Sequence, residues 1–205
     1  MARLLTCECT LTRIHESKRQ LLARPERQAA ILQGAAAAFA RSGFAATSMD
    51  DVAAACEVSR LIVYRHFDSK EELYRTILER VFHRMGEELE ARLHQPELRG
   101  VGARTILKVA REDPDSFVLL WRHAAREPQF AEYAHDQREV AVAAVRELMA
   151  LDSGDEMIDH WCAEAAFGWL IESALTWLEY GEPSRDEEFV VRATDALRAM
   201  RAAWA

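Results

Sequence analysis

The stretch from residue 43 to residue 73 constrains the fold more than any other, because residues that end and start helices alternate in it at short intervals. Gly43 follows an apolar run and supplies the positive φ angle with which a helix commonly ends. Ser48, Ser59 and Ser69 can each cap the helix that follows them. Two short helices joined by about three residues, with a long helix behind them, predict a helix-turn-helix.

Capping boxes strengthen this interpretation. Asp51 stands three residues after Ser48, and Glu72 stands three residues after Ser69, which is the spacing of a capping box, although Glu or Gln is more usual than Asp. The same spacing recurs further along and predicts the starts of the last two helices, at Ser153 with Glu156 and Ser184 with Glu187.

Short motifs follow one another through the stretch with fixed spacing: Gly43-Phe44, Thr47-Ser48, Val58-Ser59 and Tyr64-Arg65-His66-Phe67-Asp68-Ser69-Lys70-Glu71-Glu72-Leu73. In this order and spacing they resemble the DNA-binding domain of the TetR family of transcriptional regulators. So many matching positions over about fifty residues are far more specific than one short motif. The resemblance is specific only in the first third of the chain.

The resemblance implies that the third helix enters the major groove of operator DNA and that its first residues meet base edges. The residues expected there are Ser59, Arg60, Leu61 and Ile62. The Arg60 guanidinium can donate two hydrogen bonds to O6 and N7 of a guanine. The resemblance also implies phosphate contacts from hydroxyl, imidazole and ammonium groups, which fix the register on DNA; these are Thr47, Ser48, Tyr64, His66 and Lys70.

Three residues depart from the family pattern. Leu61 and Ile62 stand where small or hydroxyl residues are usual, and Glu57 replaces the usual turn glycine, which requires a non-Gly residue at positive φ. These departures keep open a second interpretation, an interaction module of the same fold that has lost specific operator binding. A helical enzyme is disfavoured, because the sequence contains no HExxH and no nucleophile motif.

The net charge of −8 becomes compatible with DNA binding once it is divided along the chain. Residues 1–85 contain thirteen Lys and Arg against ten Asp and Glu, whereas residues 86–205 contain thirteen against twenty-four. The first part is therefore at +3 and the second at −11. Positive charge is concentrated where a helix-turn-helix would face phosphates.

The sequence also indicates the cellular compartment and whether a metal or cofactor is to be expected. No apolar run approaches the roughly 18 residues that span a bilayer, and the first residues do not form a signal peptide, so a cytoplasmic protein is expected. Cys7 and Cys9 form a C-x-C pair, but no second pair stands at zinc-ligand spacing. We expect neither a metal nor a cofactor.

The apolar residues recur at helical spacing, and no segment shows the period of two that is typical of a strand. We expect an all-α fold of about nine helices, including long ones at 70–93, 114–126 and 129–150. Residues 1–24 should be a basic, disordered extension, with an arm in the minor groove as the alternative. Residues 25–70 should form a helix-turn-helix head, and residues 71–205 a larger helical body for effector binding and dimerisation.

The body carries most of the aromatic residues, interleaved with polar ones. The resemblance implies a small-molecule cavity among helices five to eight, lined by Phe117, Trp121, His123, Phe130, Tyr133, Trp161 and Glu164. The alternative for any single aromatic residue is ordinary core packing. In the helix at 129–150, the side chains expected to point inward are Phe130, Tyr133, Val140, Ala144 and Leu148.

The last two helices are expected to form a homodimer interface, as in the family. One face of the eighth helix carries small residues that permit close approach, with Trp161, Ala165, Gly168, Glu172 and Leu175 along it. A strongly apolar face of the ninth helix is hard to explain on a monomer; it carries Phe189, Ala193, Leu197, Met200 and Trp204. Such a two-fold dimer would bind a near-palindromic double-stranded DNA operator.

Overall fold

The computed structural model describes residues 24–96 and 99–204, and within those ranges every regular element is helical. The α-helices are α1 (Arg24–Ser42), α2 (Met49–Ala55), α3 (Arg60–Tyr64), α4 (Lys70–Leu93), α5 (Val101–Glu112), α6 (Pro114–Val118), α7 (Ala131–Met149), α8 (Glu156–Tyr180) and α9 (Asp186–Trp204). These nine helices confirm the expected all-α class. Of the predicted extension, Arg24 is the first residue of α1, and residues 1–23, with Cys7 and Cys9, lie outside the described residues.

The head is built from α1 to α3, and its local signals hold with two exceptions. Gly43 has a φ of +80°, and Ser48 and Asp51 form a complete capping box, in which each side chain accepts the other residue's backbone N–H. Ser59 is the N-cap of α3, but its side chain makes no capping hydrogen bond. The box predicted at Ser69 is half formed, because the Glu72 carboxylate accepts the backbone N–H of Asp68 instead, at 2.6 Å.

Head and body share one continuous hydrophobic core. The Phe44 ring, in the loop after α1, lies 5.1 Å from Tyr74 of α4 and 5.2 Å from Phe130 at the start of α7, between ring centroids. Phe39 of α1 packs edge-on against Tyr74 at 5.0 Å. The boundary at residue 70 stays a prediction, and these aromatic contacts are the physical link across it.

The predicted helix from Pro114 to Arg126 changes its hydrogen bonding along its length. It begins as α6, continues as a π-helical turn over Leu119–His123 and ends as a 3₁₀ turn over Ala124–Arg126. A π-helical turn bonds i to i+5, which widens the helix, and such turns often occur at functional sites. Trp121 lies in the middle of the π-helical turn.

Several predictions for the last three helices are wrong. Val140 and Leu148 of α7 are exposed, because the buried face of α7 follows Ala134, Val142 and Met149, a pattern that a search for large apolar residues misses. The N-cap of α8 is Asp155 rather than Ser153.

The serine predicted to cap α9 also has another role. The Ser184 hydroxyl donates to the Glu182 carboxylate at 3.5 Å, and Glu187 is bound by Arg104 of α5. A contact between helices has therefore replaced a local cap.

No helix within the described ranges combines the length and the apolar character needed to cross a membrane.

Candidate nucleic-acid interface and effector region

The helix α3 is fixed to the head by its buried side and presents the other side to solvent. Val63 is fully buried and Phe67, just after the helix, is 2% exposed. On the outward side, Leu61 is 70% exposed, while Ile62 is half-buried. On a helix predicted to enter the major groove, an apolar side chain so exposed is able to contact the methyl group of a thymine.

Arg60, the residue expected to contact guanine, is held across the helix-turn-helix. Its guanidinium lies 3.0 Å from a carboxylate oxygen of Asp50 in α2 and donates to the Tyr64 hydroxyl at 3.3 Å. It also lies 5.1 Å from the centre of the Tyr64 ring. Both members of the ion pair are exposed, and such pairs contribute only about 0–1 kcal/mol, so Arg60 can be transferred to a base at little cost.

The predicted phosphate contacts divide into exposed groups and structural groups. Ser48 and Tyr64 are exposed at the ends of the short helices, as a phosphate contact requires. Thr47 is 2% exposed, and its hydroxyl donates to the Gly43 carbonyl at 2.7 Å. The Thr47 hydroxyl therefore stabilises the loop after α1, and its buried position argues against a phosphate contact through the side chain.

Lys70 also has a structural partner. Its ammonium donates to the Phe44 carbonyl at 2.9 Å and lies 4.2 Å from the centre of the Phe44 ring. These contacts explain how a cation is accommodated at the N-terminus of α4, where the helix dipole disfavours it. An ammonium has three donor hydrogens, so this bond leaves others for a phosphate.

A basic cleft of about 360 Å³ adjoins α3 and joins it to the start of α1. It is lined by Ile62 and His66 and by three arginines, Arg24, Arg27 and Arg65. Partial burial and the positive charges of Arg24, Arg27 and Arg65 lower the pKa of His66, so its ring is neutral at pH 7 and carries one N–H donor. Sequence reasoning found His66 but missed the three arginines, although Arg24 and Arg27 stand one turn apart at the start of a helix.

Trp121 is the centre of an aromatic layer in the body. Its ring packs against Phe167 of α8 at 5.1 Å and against Phe82 of α4 and Phe117 of α6, both at 6.5 Å. The indole Nε1 is buried and has no hydrogen-bond partner among the described residues. Buried indole N–H groups usually have a partner, so this donor is an exception within the body.

The other predicted ligand residues have different surroundings. Phe117 and Phe130 are completely buried and act as core. Tyr133 is half-buried, which raises its pKa to about 12, and Arg75 lies 5.7 Å above its ring. His123 is half-buried in the π-helical turn beside Trp121.

Glu164 is bound by Arg138 of α7, with the shortest of three contacts at 2.6 Å, and the Arg138 guanidinium lies 5.3 Å from the centre of the Phe167 ring. The fold also brings Glu139 and His160 close to Glu164, with one ligand atom of each within 4.8 Å of the others. Arg138 already neutralises Glu164, so this grouping is explained as an ion pair beside the aromatic layer rather than as a metal centre.

Comparisons with known proteins agree with this geometry. The family model described as bacterial regulatory proteins, tetR family, matches residues 31–77. The transcriptional activator FasR of Mycolicibacterium smegmatis is 30% identical over 185 residues, which cover 84% of this chain and 81% of FasR. The chain belongs to the TetR family. As a member, it is a DNA-binding transcriptional regulator and not an enzyme.

Solved structures of TetR-family regulators share the fold over most of their length. A regulator from Bordetella parapertussis superposes with a TM-score of 0.71 at 23% identity, covering 85% of this chain and 95% of that one. AibR, solved with isovaleryl coenzyme A and operator DNA, gives a TM-score of 0.63 at 19% identity, covering 83% of this chain and 97% of AibR. At these identities the likeness shows the fold alone.

The outer face of α8 and α9 differs in part from the dimer face predicted for this TetR-family chain. Leu175, Phe189 and Ala193 are largely buried within the single chain, so they serve mainly as core residues. Trp161 is 54% exposed and packs on Trp204 of α9 at 5.6 Å, so its position favours the predicted dimer face over the predicted cavity. A shallow, mainly apolar depression of about 540 Å³ lies on the same two helices, with Trp169, Thr176, Tyr180 and Arg192 in its lining.

Proposed function

We propose that this TetR-family regulator is a cytoplasmic homodimer that binds a near-palindromic operator as a repressor and is released from it by a small-molecule effector. The observation that carries the ligand-responsive part is the buried indole N–H of Trp121, which has no acceptor among the described residues. The head supports operator binding, and the outer face of α8 and α9 supports a dimer. Each part is argued separately below.

Operator binding rests on the outward side of α3. Arg60 would exchange the Asp50 carboxylate for O6 and N7 of a guanine, and Leu61 would contact a neighbouring thymine methyl. The basic cleft at Arg24, Arg27, Arg65 and His66 would hold phosphates beside the recognition helix. Two copies of α3 related by a two-fold axis would bind half-sites about one helical turn apart.

Dimerisation rests on apolar side chains that the single chain leaves exposed on α8 and α9. Trp161, Tyr180 and Val191 are all exposed and lie on these two helices. Exposed apolar groups on adjacent helices mark a protein interface in a soluble protein. A two-fold interface would bring each of these residues against the same surface of the partner.

The effector site is proposed at the aromatic layer around Trp121. The ligand would be apolar or aromatic and carry one hydrogen-bond acceptor. It would accept a hydrogen bond from the indole N–H of Trp121 and pack between Phe82 and Phe167. Burial of an unpaired N–H is costly, typically about 1–3 kcal/mol, so a ligand acceptor recovers that free energy on binding. The family neighbour AibR, whose structure contains isovaleryl coenzyme A, is an example of a ligand-bound regulator with this fold.

A change at Trp121 has a short path to the head. The π-helical turn leads through the 3₁₀ turn to Phe130, and the Phe130 ring packs against Phe44 at 5.2 Å. Phe44 in turn carries the Lys70 ammonium at the start of α4. Displacement of Phe130 would therefore shift the loop that positions the head relative to α4. A ligand shifts this equilibrium only by its preference for the DNA-free state.

Repression rather than activation is the family-typical choice, and the relatives include both. FasR is called an activator, whereas the regulator Rv3405c of Mycobacterium tuberculosis is called a repressor. Rv3405c is 42% identical over 71 residues, which cover 35% of this chain and 36% of that protein. The second candidate function, an interaction module without operator binding, is favoured only by the exposed Leu61 and the Asp50 partner of Arg60.

The decisive experiment is selection of DNA by the purified full-length chain, followed by titration of the selected site. We expect a two-fold symmetric site, and Arg60→Ala should weaken it by about 1–3 kcal/mol and relax one base position in each half. A ligand found by thermal-shift screening should bind less tightly when operator is saturating, because linkage is reciprocal. Selection of no sequence would favour the interaction module, and equal ligand affinity with and without operator would exclude an inducer.

The dimer is tested by sedimentation of the double variant Trp161→Asp with Trp204→Asp, two residues at one end of the proposed interface. Charge placed in an apolar interface should yield monomers. Val140→Asp, on an exposed position of α7, is the matched control and should keep the dimer. An unchanged mass for the double variant would remove this face as the interface.

A further inference from the structure

A second cleft in the body shares no lining residue with the aromatic layer and has a different chemical character. It occupies about 300 Å³ between the first turn of α5, the end of α7, the middle of α8 and the end of α9. Its floor is apolar and its mouth is basic. The described residues that line it include Val145, Leu148, Met149, Ala166, Leu170, Leu197, Arg99, Arg198 and Arg201.

The apolar floor is built from three helices. Met149, Ala166 and Leu170 are buried, and Leu148, which the sequence analysis placed in the core, is 42% exposed because it borders this cleft. Gly102 leaves the space open, since a Cβ atom there would come no closer than 4.0 Å to Leu148 and Leu170. The cleft therefore offers an apolar wall on which a short hydrocarbon chain can pack.

The mouth carries three arginines and, among the described lining residues, no acidic side chain. Arg99 has one exposed ion pair, with Asp195 at 3.2 Å, and Arg201 donates to the Ala150 carbonyl at 3.3 Å. Arg198 has no ion-pair partner among the described residues. Asp195 therefore offsets the charge of Arg99, whereas Arg198 and Arg201 keep theirs. This positive charge contrasts with the part of the chain from residue 86 onward, which contains twenty-four acidic against thirteen basic residues.

We propose that this cleft binds a small amphiphile with an anionic headgroup, a carboxylate or a phosphate, and a short hydrocarbon chain. Arg198 and Arg201 would bind the headgroup, because guanidinium groups form paired hydrogen bonds with both kinds of oxyanion. The chain would lie along Leu148 and Leu170, where it is removed from water. The site is separate from the aromatic layer at Trp121 and does not depend on that layer being an effector site.

Charge complementarity and size favour this occupant over a macromolecule. A cleft of about 300 Å³ is near the lower limit for small-molecule sites and is too small for a helix or an extended protein segment. An apolar ligand without charge would leave the basic mouth unused. Because the lining comes from α5, α7, α8 and α9 together, a bound amphiphile would tie the end of α9 to α5.

The test is calorimetric titration of the full-length chain with octanoate, octyl phosphate and neutral octan-1-ol, all below their aggregation concentrations. One or both anions should bind, and the one that binds more tightly identifies the headgroup. The alcohol should bind at least about tenfold more weakly, as expected for loss of a charge-assisted hydrogen bond. Equal binding of the alcohol, or binding of none of the three, would overturn the proposal.

Three variants place the ligand in the cleft. Arg198→Gln should weaken both anions about tenfold, since this exposed residue holds no structural contact. Gly102→Leu should abolish binding by filling the cleft, and it suits the helical backbone there. Arg126→Gln, an exposed arginine outside the cleft, is the matched control and should bind as the parent does. Circular dichroism would confirm folding of each variant.

The outcomes separate this site from the proposed effector site. Trp121→Phe should leave octanoate affinity unchanged, whereas it removes the N–H on which the effector proposal rests. Loss of anion binding in Arg126→Gln or Trp121→Phe, with Arg198→Gln unaffected, would place the anion near the π-helical turn and overturn the cleft as its site. Failure of operator release by other ligands would not change any of these titrations.

Discussion

The head and the body satisfy their polar groups to different degrees. In the head, even unusual groups have partners: the Thr47 hydroxyl donates to a carbonyl, and the Lys70 ammonium is held by Phe44. The buried side-chain atoms without a partner among the described residues all lie on α4 or beyond, at Tyr74, Arg92, Thr105 and Trp121. The buried polar side chains of the head therefore have hydrogen-bond partners without DNA, whereas the body contains unpaired polar atoms to which a ligand can hydrogen-bond.

The head and the body also differ in the sequence signals that specify their folds. The head is specified by short-range signals, capping serines and a turn, and its DNA-facing groups stand on the surface. The body is specified by packing between distant helices, and its distinctive groups are buried. A surface that binds DNA is exposed, whereas a small-molecule site is usually a concave, mainly apolar pocket inside the fold.

The largest effect is expected where the two regions meet. Phe44→Ala removes a buried ring that packs on Phe39, Tyr74 and Phe130, so the free energy of unfolding should fall by about 3–4 kcal/mol. All five tryptophans lie beyond residue 120, so their fluorescence reports the body alone. If head and body unfold as one unit, fluorescence and circular dichroism should shift together at a fixed protein concentration.

A matched control sharpens that comparison. Val52→Ala removes a fully buried side chain within α2, and it should cost less than Phe44→Ala because fewer atoms are lost. A fluorescence transition that stays at the parent's denaturant midpoint in Phe44→Ala, while circular dichroism shows an earlier loss of helix, would mean that the head unfolds alone and that the shared core does not couple it to the body.

The second largest effect is expected at Glu88, a buried carboxylate in α4 bound by three cations. Arg92 lies at 2.7 Å, Arg84 at 2.8 Å and Lys108 of α5 at 3.0 Å. Glu88→Gln should lower the free energy of unfolding by about 2–3 kcal/mol at pH 7, because Arg92 loses its carboxylate partner and Arg84 and Lys108 are left with Glu112. Glu87→Gln, at an exposed carboxylate, is the control and should cost less than about 0.5 kcal/mol.

The pH dependence of the stability difference between the parent and Glu88→Gln tests the ionic explanation. Burial alone would raise the pKa of Glu88, but hydrogen bonds from Arg84 and Lys108 and the charge of Arg92 outweigh burial and lower it. A lowered pKa in the folded state means that the stabilisation is present above the unfolded pKa of about 4.3 and is lost as pH falls through the folded pKa. Denaturant titrations should therefore show parent and Glu88→Gln converging in acid, and a constant difference at all pH values would contradict the ionic account.

A smaller effect distinguishes the unpaired indole of the body from a paired one. Trp121→Phe removes an N–H that has no partner, whereas Trp177→Phe removes an N–H that donates to Asp186 at 2.8 Å. Both variants lose similar ring area, so Trp177→Phe should be the more destabilising by about 1 kcal/mol. Chemical denaturation of the two variants gives this difference directly. Equal losses would show that the Trp121 N–H is satisfied in solution and would remove the main support for the effector site.

Much of the head could be predicted from the sequence because its signals are local. The Ser48–Asp51 capping box, the positive φ of Gly43 and the positive φ of Glu57, at 53°, all depend on residues within a few positions of one another. The bounds of α4, Lys70–Leu93, follow in the same way from a capping serine and a regular apolar stripe.

The parts that sequence reasoning missed depend on residues far apart in the chain. Lys70 binds a carbonyl 26 residues away, and Arg24 lines the cleft beside His66 only because the fold brings the start of α1 close to α3. The π-helical turn at Trp121 and the exposed Val140 reflect how α4, α7 and α8 pack, which periodicity alone does not determine. Local patterns predict elements, whereas partners and burial arise from the assembly of those elements.

The smallest effect on stability, and the most specific effect on function, is expected at Asp50. The Asp50–Arg60 pair is exposed on both sides, so Asp50→Asn should change the free energy of unfolding by less than about 0.5 kcal/mol. On DNA the substitution acts twice, because it removes a negative charge from the DNA-facing surface and releases Arg60 for any phosphate. Affinity for random DNA should rise about three- to tenfold at low salt, and the salt slope should steepen by about one. Discrimination between the selected operator and random DNA should fall, since a phosphate gives no sequence information.

Glu57→Gln is the control, because it removes the same charge from the head without contacting Arg60. Fluorescence-anisotropy titrations should show a smaller gain in affinity for random DNA, with no loss of discrimination. If both variants behave alike, Asp50 acts only through net charge, and the pair with Arg60 has no part in sequence recognition.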